Sequence, residues 1–279
     1  MSGGDPTARG ESRRLLITGA NGQLGRRLLE RIARVEPPIP VRAVVRSQRS
    51  AAALAELPVQ IQPETVVLDY HDLDLLTEAA RGCHYAVHLV GIIKESSKSR
   101  YRDAHEASAR AVADAAAAAG LQRVVYLSIL GADPDSSNAC LASKGRAEKI
   151  LLDAKTPALI LRVPMVLGPG DATASIVRRE AMARVLPLIA GGSSLTQPIY
   201  AGDVVDAILS GLNRSELANV SLDLAGPESL PQREFIERAA RLHGRRPRIV
   251  PIPRGLLDLW PASRSSAWRT RPSRERHSR

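Results

Sequence analysis

The chain has 279 residues, 44% of them apolar, which is enough for one large core or for a core with a smaller appendage. Only 3% is aromatic, so that core must be aliphatic, and no stretch reaches the length of a membrane span. The formal charge is +10, but six arginines against Asp258 and Glu275 place part of the excess in the last stretch, Asp258 to Arg279. A basic groove for nucleic acid would need Lys and Arg interleaved with aromatics, and the sequence shows no such groove, so no nucleic-acid partner is expected.

In chain order, Arg13 to Glu30 (RRLLITGANGQLGRRLLE) comes first and reads strand, tight turn, helix. Leu15, Leu16 and Ile17 stop at Thr18-Gly19, the turn is spaced Gly19-x-x-Gly22-x-x-Gly25, and Leu24, Leu28, Leu29 and Ile32 recur at helical spacing. Lacking a Cβ, Gly19 lets the chain leave the strand sharply. Gly22 lets the backbone approach a pyrophosphate, and Gly25 lets the helix lie on the strand. The helix would open with unpaired N–H groups at a positive dipole end, which is an anion site. A glycine-rich junction without a ligand has the same composition, but the second strand at Val41 to Arg46 gives this one the required context.

Val41 to Val45 is valine-rich, as buried parallel strands are. It ends in Arg46-Ser47-Gln48-Arg49, where a dinucleotide fold commonly carries an acid for the adenosine ribose. Here the acid is missing and Arg46 and Arg49 are offered, which favours NADP over NAD against the alternative of two solvated arginines. Ser50 to Leu57 is a helix, and Thr65 to Leu68 is the third strand, closing at Asp69. Asp69 is placed either to accept from an adenine amino group or to cap the next helix. Leu73 to Ala80 is a helix and Tyr85 to Val90 the fourth strand, ending at Gly91. His84 and His88 share a face of that strand with no metal set around them, so a packing or surface role is expected.

Ile92 to Arg102 reads as a loop beside the cofactor crevice, and Tyr101 to Ala119 as an alanine-rich helix stopped by Gly120. That helix would pack on the sheet or on a second copy, leaving a homodimer open. Val124 to Ser128 is the fifth strand, Leu141 to Leu152 a helix, and Ala158 to Val163 the sixth strand, closed by Pro164. This alternation predicts an α/β fold with a doubly wound parallel sheet. Beyond Pro164 the rhythm changes. Gly168 to Asp171 is a turn, Ile176 to Leu188 a helix, Asp203 to Leu212 another, Ser221 to Leu224 a strand, Gln232 to His243 an amphipathic helix and Ile249-Val250 a last strand. The expected divisions are a flexible 1–12, a nucleotide domain over 13–165, a smaller region over 166–256 that roofs the crevice and holds the substrate, and a basic disordered tail over 257–279. Cys83 and Cys140 have no paired spacing, which suits a reducing compartment and argues against zinc. The polar start lacks the apolar core of a signal peptide, so a cytoplasmic location is expected.

As a set, Thr18 to Gly25, Arg46, Asp69, Leu89-Val90-Gly91, Ser143-Lys144, Leu161 to Pro164, Gly168 to Asp171 and Gln197 to Val204 resemble the short-chain dehydrogenases/reductases of the extended and atypical kinds. In particular the chain looks like NAD(P)H-binding proteins related to the complex I accessory subunit and like NmrA-like regulators. The resemblance covers about Arg13 to Pro253 and implies a Rossmann dinucleotide domain. It implies that Gly19, Ala20, Asn21, Gly22, Gln23, Leu24, Arg46, Asp69, Val90, Gly91, Lys144 and Pro164 bind the cofactor, with Lys144 and Ser128 as the catalytic residues and Asp203 as a helix cap.

The departures bear on chemistry. The family pairs an acid/base tyrosine with a lysine four residues later; here Lys144 is kept and Cys140 stands in place of the tyrosine. A thiol, with an ordinary pKa of about 8.5, is shorter than a phenol and would not reach the same atom. Ser128 lies at the strand end, followed by Ile129 and Leu130 without hydroxyls, and His105 stands where the family often has Asn. Lys144 is also readable as a surface lysine in SKGRAEK. Two functions stay open: an NADP-dependent oxidoreductase or epimerase on a small carbonyl or alcohol, with Lys144, water and Tyr101 replacing the lost tyrosine; or a non-catalytic NAD(P)H sensor or assembly factor whose surface is read by a protein partner.

Overall fold

Short strands whose side chains alternate between two apolar layers set the architecture, seen here in a computed structural model describing residues 13–97, 99–253 and 255. The expected flexible start, 1–12, and basic tail, 257–279, lie outside the described residues. The chain runs β1 (Leu15–Thr18), α1 (Gln23–Ile32), β2 (Val41–Val45), α2 (Gln48–Ala55), β3 (Glu64–Val67), α3 (Leu73–Ala80) and β4 (Tyr85–His88). A wide-turned π-helical stretch, Arg102–Ala107, then leads into α4 (Ser108–Ala118), followed by β5 (Arg123–Ile129), α5 (Ala139–Leu152) and β6 (Ala158–Val163). After these come β7 (Val166–Leu167), α6 (Ala172–Ala181), β8 (Val185–Ile189), β9 (Leu195–Thr196), β10 (Ile199–Tyr200) and α7 (Ala201–Leu212). The chain closes with β11 (Val220–Asp223), β12 (Leu230–Pro231), α8 (Gln232–Arg241) and β13 (Arg248–Ile252).

Among the described residues, seven strands make one parallel sheet in the order β11-β6-β5-β4-β1-β2-β3. One face presents Leu16, Val44, Ala86, Val124, Tyr126 and Ile160 to Leu76, Val112, Ala115, Ala147 and Leu151 of α3, α4 and α5. The residues between them, Leu15, Ile17, Ala43, Val45, Val87, Val125 and Leu159, face Leu28, Leu29, Ile32, Val204 and Ile208 of α1 and α7. Helices therefore cover both faces, and the strand order reverses between β1 and β4. That reversal opens a crevice at the carboxyl ends of those strands, where an open α/β sheet takes its ligand.

The second half departs from the expected pattern. Ile176 to Leu188 is not one helix: α6 ends at Ala181, and Val185–Ile189 is a strand paired in parallel with β13. Pro187 has no N–H for a helix interior, and pairing buries Leu186 and Leu188 with Ile236 of α8. The expected strand at Ser221 belongs to the central sheet, beside β6, so the region 166–256 is divided. One unit holds residues up to Ser175 together with Gln197–Ser229; a second holds Ile176–Thr196 and the chain from Leu230. Asp203 lies in the first turn of α7 rather than at its cap, which is Tyr200 without a side-chain bond, so its carboxylate meets the dipole and caps nothing.

A Cβ on Gly25 would stand 2.6 Å from the Ala20 Cα and carbonyl oxygen. Gly25→Ala is therefore expected to lose about 1–3 kcal/mol of stability through overpacking against backbone that cannot yield. A thermal melt showing a fall of several degrees checks it.

Candidate functional site

The glycine turn is built from backbone contacts. Gly19 holds φ +79°, and a Cβ there would stand 3.1 Å from the Leu89 carbonyl carbon and 3.2 Å from the Val90 nitrogen. The turn thus lies directly on the end of β4. Gly22 N–H donates to Gly19 O (3.0 Å), and Gly22 itself is the N-cap of α1, with no side chain bonded to the helix end and no acid in its first turn. Asn21, Gly22 and Gln23 are exposed, Ala20 is buried, and Leu24 is half-buried. A helix start that is uncapped, exposed and free of carboxylates suits a diphosphate, so the residues present fit the expected cofactor. Asn21 Nδ2 donates to Ser50 Oγ (3.2 Å), tying the turn to α2.

At the end of β2, Arg46 is exposed, and its guanidinium carbon lies 5.9 Å from the centroid of the Tyr70 ring. Asp69 is exposed; it accepts from His71 N–H (3.1 Å) and pairs with His71 Nδ1 (2.8 Å), contacts that hold its carboxyl below the ordinary range. The cap of α3 is Asp72, which accepts from Leu75 N–H, so of the two roles open to Asp69 the capping one is taken by its neighbour.

Lys144 is no surface lysine. It lies on a face of α5 shared with buried Ala142, Ala147 and Glu148, and only 6% of it is exposed. Its Nζ donates to Tyr126 Oη (2.9 Å) and Leu127 O (2.9 Å) and sits 4.4 Å from the Tyr126 ring centroid. It also abuts Gly91, where a Cβ would come within 3.1 Å of the amine. Burial lowers its pKa to about 8. The same hypothetical Cβ would lie 3.6 Å from His105 Nε2, so Gly91, Lys144 and His105 surround one point. His105 Nε2 lies 3.1 Å from both the N–H and the carbonyl oxygen of Ile92, and burial, with the Lys144 charge, holds its pKa down to about 4. The imidazole is therefore neutral at pH 7.

Tyr101 stacks on His105 at 5.5 Å and donates to Ile93 O (2.8 Å). The Cys140 thiol is an electrostatic neighbour of the Tyr101 phenol, and its Sγ is 3.9 Å from Ile92 O, next to the Ile93 carbonyl that Tyr101 holds. Burial pushes both groups above their ordinary values. Lys144, Gly91, Cys140, Tyr101 and His105 are thus brought together. Ser128 is not part of that group: it is fully buried and its hydroxyl donates to Glu148, which in turn accepts a two-pronged contact from Arg162 (3.0 and 2.5 Å). Val90 is buried at the end of β4, and Pro164 is half-buried after β6. The Gly168–Asp171 turn holds Arg27 through Asp171 (2.9 Å) and Pro169 O, a structural clamp.

Two residues of this region were not singled out by sequence: Tyr126 anchors Lys144, and Tyr70 bonds the glycine turn. His88, which was, packs against Tyr126. His88 Nδ1 lies 2.6 Å from Thr18 Oγ1 and Nε2 lies 3.2 Å from Ser108 Oγ, while the ring stacks on Tyr126 at 5.3 Å. Ser108 already donates to Ala104 O (2.8 Å), so it accepts from Nε2–H and leaves Nδ1 to take the Thr18 proton. Of the packing and surface roles expected for His88, the first holds. Strand alternation places Tyr126 on the α5 side; nothing local marks its partner. Among the described residues, no three His, Cys, Asp or Glu stand close enough to hold a metal, and no helix is long and apolar enough to cross a membrane.

Residues 19–184 match the family described as NAD(P)H-binding. A ceramide reductase of Caulobacter vibrioides is 29% identical over 88% of this chain and 77% of its own length. Subunit 9 of the NADH dehydrogenase [ubiquinone] 1 alpha subcomplex of Arabidopsis thaliana, a mitochondrial protein, is 27% identical over 85% of this chain. The chain covers 60% of that subunit, less than two thirds of its length. Among solved structures, UDP-glucuronic acid 4-epimerase from Bacillus cereus in complex with NAD superposes with a TM-score of 0.73 at 14% identity, covering 86% of this chain and 87% of that one. At that identity it carries the fold alone.

The buried imidazoles make the fold acid-sensitive. Burial takes His88 down to about 3 and His105 to about 4 from an ordinary 6.5. Below 6.5 the unfolded chain binds protons that the native state refuses, so stability falls as pH drops through that window. Each such proton steepens the fall by about 1.4 kcal/mol per pH unit. Denaturant unfolding at a series of pH values should show this slope between about pH 4 and 6, reduced by about one proton in His88→Gln.

Proposed function

The chain belongs to the NAD(P)H-binding family, and from that premise we propose that it is an NADP(H)-dependent reductase acting on a small carbonyl compound. One observation carries the reading: Tyr101, stacked on His105 and bonded to Ile93 O, shares the Ile92–Ile93 backbone with Cys140, bringing a hydroxyl near the one position from which the family's tyrosine is missing. The dihydronicotinamide supplies, when bound, a hydride for the carbonyl carbon. The chain's residues do the rest. The amides at the start of α1, around Gly22 to Leu24, take the diphosphate; Asp69, Val90, Gly91 and Pro164 border the bound dinucleotide. Lys144 holds the ribose hydroxyls by its remaining N–H. Tyr101 gives its proton to the carbonyl oxygen, and neutral His105, stacked on it, keeps the phenol in place without adding charge. Ser128 has no part in the step, because its hydroxyl is committed to Glu148.

Arg46 supports the phosphorylated cofactor: it is exposed at the end of β2, with Ser47, Gln48 and Arg49 after it and no acid to repel a 2′-phosphate. The reductase relative supports reduction as the direction of chemistry.

A second reading, a non-catalytic NAD(P)H-binding protein recognised by a protein partner, is favoured by Cys140 in the acid/base position and by the likeness to a complex I subunit. Bound cofactor alone adds about 3 kcal/mol of stability at a hundredfold excess over Kd.

Two measurements separate the readings. Fluorescence titration should show tighter NADPH than NADH binding, and Arg46→Glu should weaken NADPH about tenfold to a hundredfold while sparing NADH. Against a panel of aldehydes, ketones and quinones, Tyr101→Phe should lower NADPH oxidation about a hundredfold with NADPH affinity unchanged. Undiminished turnover would remove Tyr101 from the proton step; silence of the wild type across the panel would favour the partner-binding reading.

A further inference from the structure

The chain has few aromatic residues, yet a buried tyrosine stands between the glycine turn and Arg46. Tyr70 follows β3 and is 4% exposed. Its hydroxyl accepts from Gly19 N–H (3.2 Å) and donates to Val44 O (3.1 Å), so one oxygen joins the first residue of the turn to the backbone of β2. The ring of the same residue carries the Arg46 guanidinium, whose carbon lies 5.9 Å from the ring centroid. We infer that Tyr70 is the positioning residue for dinucleotide preference: its hydroxyl sets the turn for the diphosphate, and its ring holds Arg46 toward the 2′-phosphate. This rests on the NADP(H) reading of Arg46 given above and adds the residue on which that arginine depends.

The two halves of the side chain act on different parts of the ligand. Gly19 N–H is spent on Tyr70, so the diphosphate is left to the amides that follow Gly22, and the hydroxyl's task is to fix where those amides point. Both NADPH and NADH carry the diphosphate, so loss of the hydroxyl weakens both alike. Arg46 is otherwise exposed, with the Asp69 carboxylate as its charged neighbour, and its long side chain must be ordered before it can grip a phosphate. A ring face behind it lowers that ordering cost and adds a cation–π contact, which benefits only the cofactor that bears the extra phosphate. Burial pushes the phenol above its ordinary value, so it stays protonated and keeps both roles, acceptor and donor, through the physiological range.

The test is titration of NADPH and of NADH into the full chain as wild type, Tyr70→Phe, Tyr70→Leu, Arg46→Ala and the Tyr70→Leu/Arg46→Ala pair. Tyr70→Phe should weaken both cofactors about threefold to tenfold and leave their ratio unchanged. Tyr70→Leu should weaken both as Phe does and lower the NADPH preference a further two- to fivefold, roughly. In the Arg46→Ala background, Tyr70→Leu should affect both cofactors alike. A merely structural role would lower the melting temperature of the unliganded protein and both affinities together, without moving the ratio. Should Leu prevent folding, Tyr70→Met gives the same comparison with an unbranched side chain. If the wild type shows no NADPH preference, or Arg46→Ala keeps it, the NADP(H) reading falls and this inference with it. If Arg46→Ala abolishes the preference while the ring-free variants keep it within about twofold, the inference about Tyr70 alone is overturned.

Discussion

Backbone lying on backbone at two glycines is the constraint on which the nucleotide end depends. Gly25 brings α1 against Ala20, and Gly19 brings the turn against Leu89 and Val90, each at separations that exclude a methyl group. The first contact aims the start of α1, with its free amides, over the end of β1. The second fixes that aim relative to β4, the neighbour across which the strand order reverses. Neither contact has a side chain to adjust, so the geometry is set by φ/ψ and by sheet register. Tyr70 and Asn21 then attach the turn to β2 and α2. The parallel sheet supplies position, and the bare helix end supplies electrostatics.

Charge is handled differently a few residues away. Lys144 keeps an amine in a nearly closed environment because two oxygens, Tyr126 Oη and Leu127 O, accept from it, and an aromatic face lies beneath it. Its cost of burial appears as the depressed pKa. The imidazoles around it are neutral for the same reason and because a second positive charge beside Lys144 is disfavoured. The other buried charge of α5, Glu148, one helical turn along, is balanced by Arg162 and bonded by Ser128. Two buried charges of opposite sign on one helix face thus have separate partners, and Ser128 goes with Glu148.

Legibility in the sequence followed the range of the interactions. The strand-turn-helix at Gly19 was readable because three glycines and four apolar residues define it locally, and the sixfold alternation through Pro164 because each element carries its own period. Val185 to Ile189 was not: an apolar run after a helix reads as its continuation, and only pairing with Arg248 to Ile252, far along the chain, makes it a strand. The strand expected at Ser221 to Leu224 is present as Val220 to Asp223, but one sequence gives no sign that it returns beside β6. The same limit applies to side chains. Lys144 could be buried or exposed on the evidence of SKGRAEK, and Ser128 could face the lysine or the sheet's far partner. The deciding groups, Tyr126 and Glu148, lie on elements whose contacts are tertiary. Tyr70 looked like one more strand-end residue because its two partners are backbone atoms, which leave no mark in a sequence.

The reaction centre carries a consequence of where its phenol comes from. A tyrosine on α5 would be held by a fourteen-residue helix buried along one face. Tyr101 instead begins the π-helical stretch and is held by Ile93 O, Glu95 and the His105 ring. Glu95 Oε1 accepts from Tyr101 N–H at 2.8 Å, and the Ile92 backbone meets His105 Nε2 at 3.1 Å, so the loop and the stretch position each other. The wide turn is what lets Tyr101 and His105, four residues apart, stack and still reach Ile92 and Ile93. In the proposed reduction, proton delivery from Tyr101 depends on the loop that precedes it, whereas Lys144 and the glycine turn depend on the sheet. Cofactor binding and turnover are built on supports of different stiffness, which allows the first to be kept where the second is lost. The enzyme and the partner-binding protein are then two settings of one arrangement, distinguished by whether the loop from Ile92 to Tyr101 holds its phenol over Cys140 when a dinucleotide is bound.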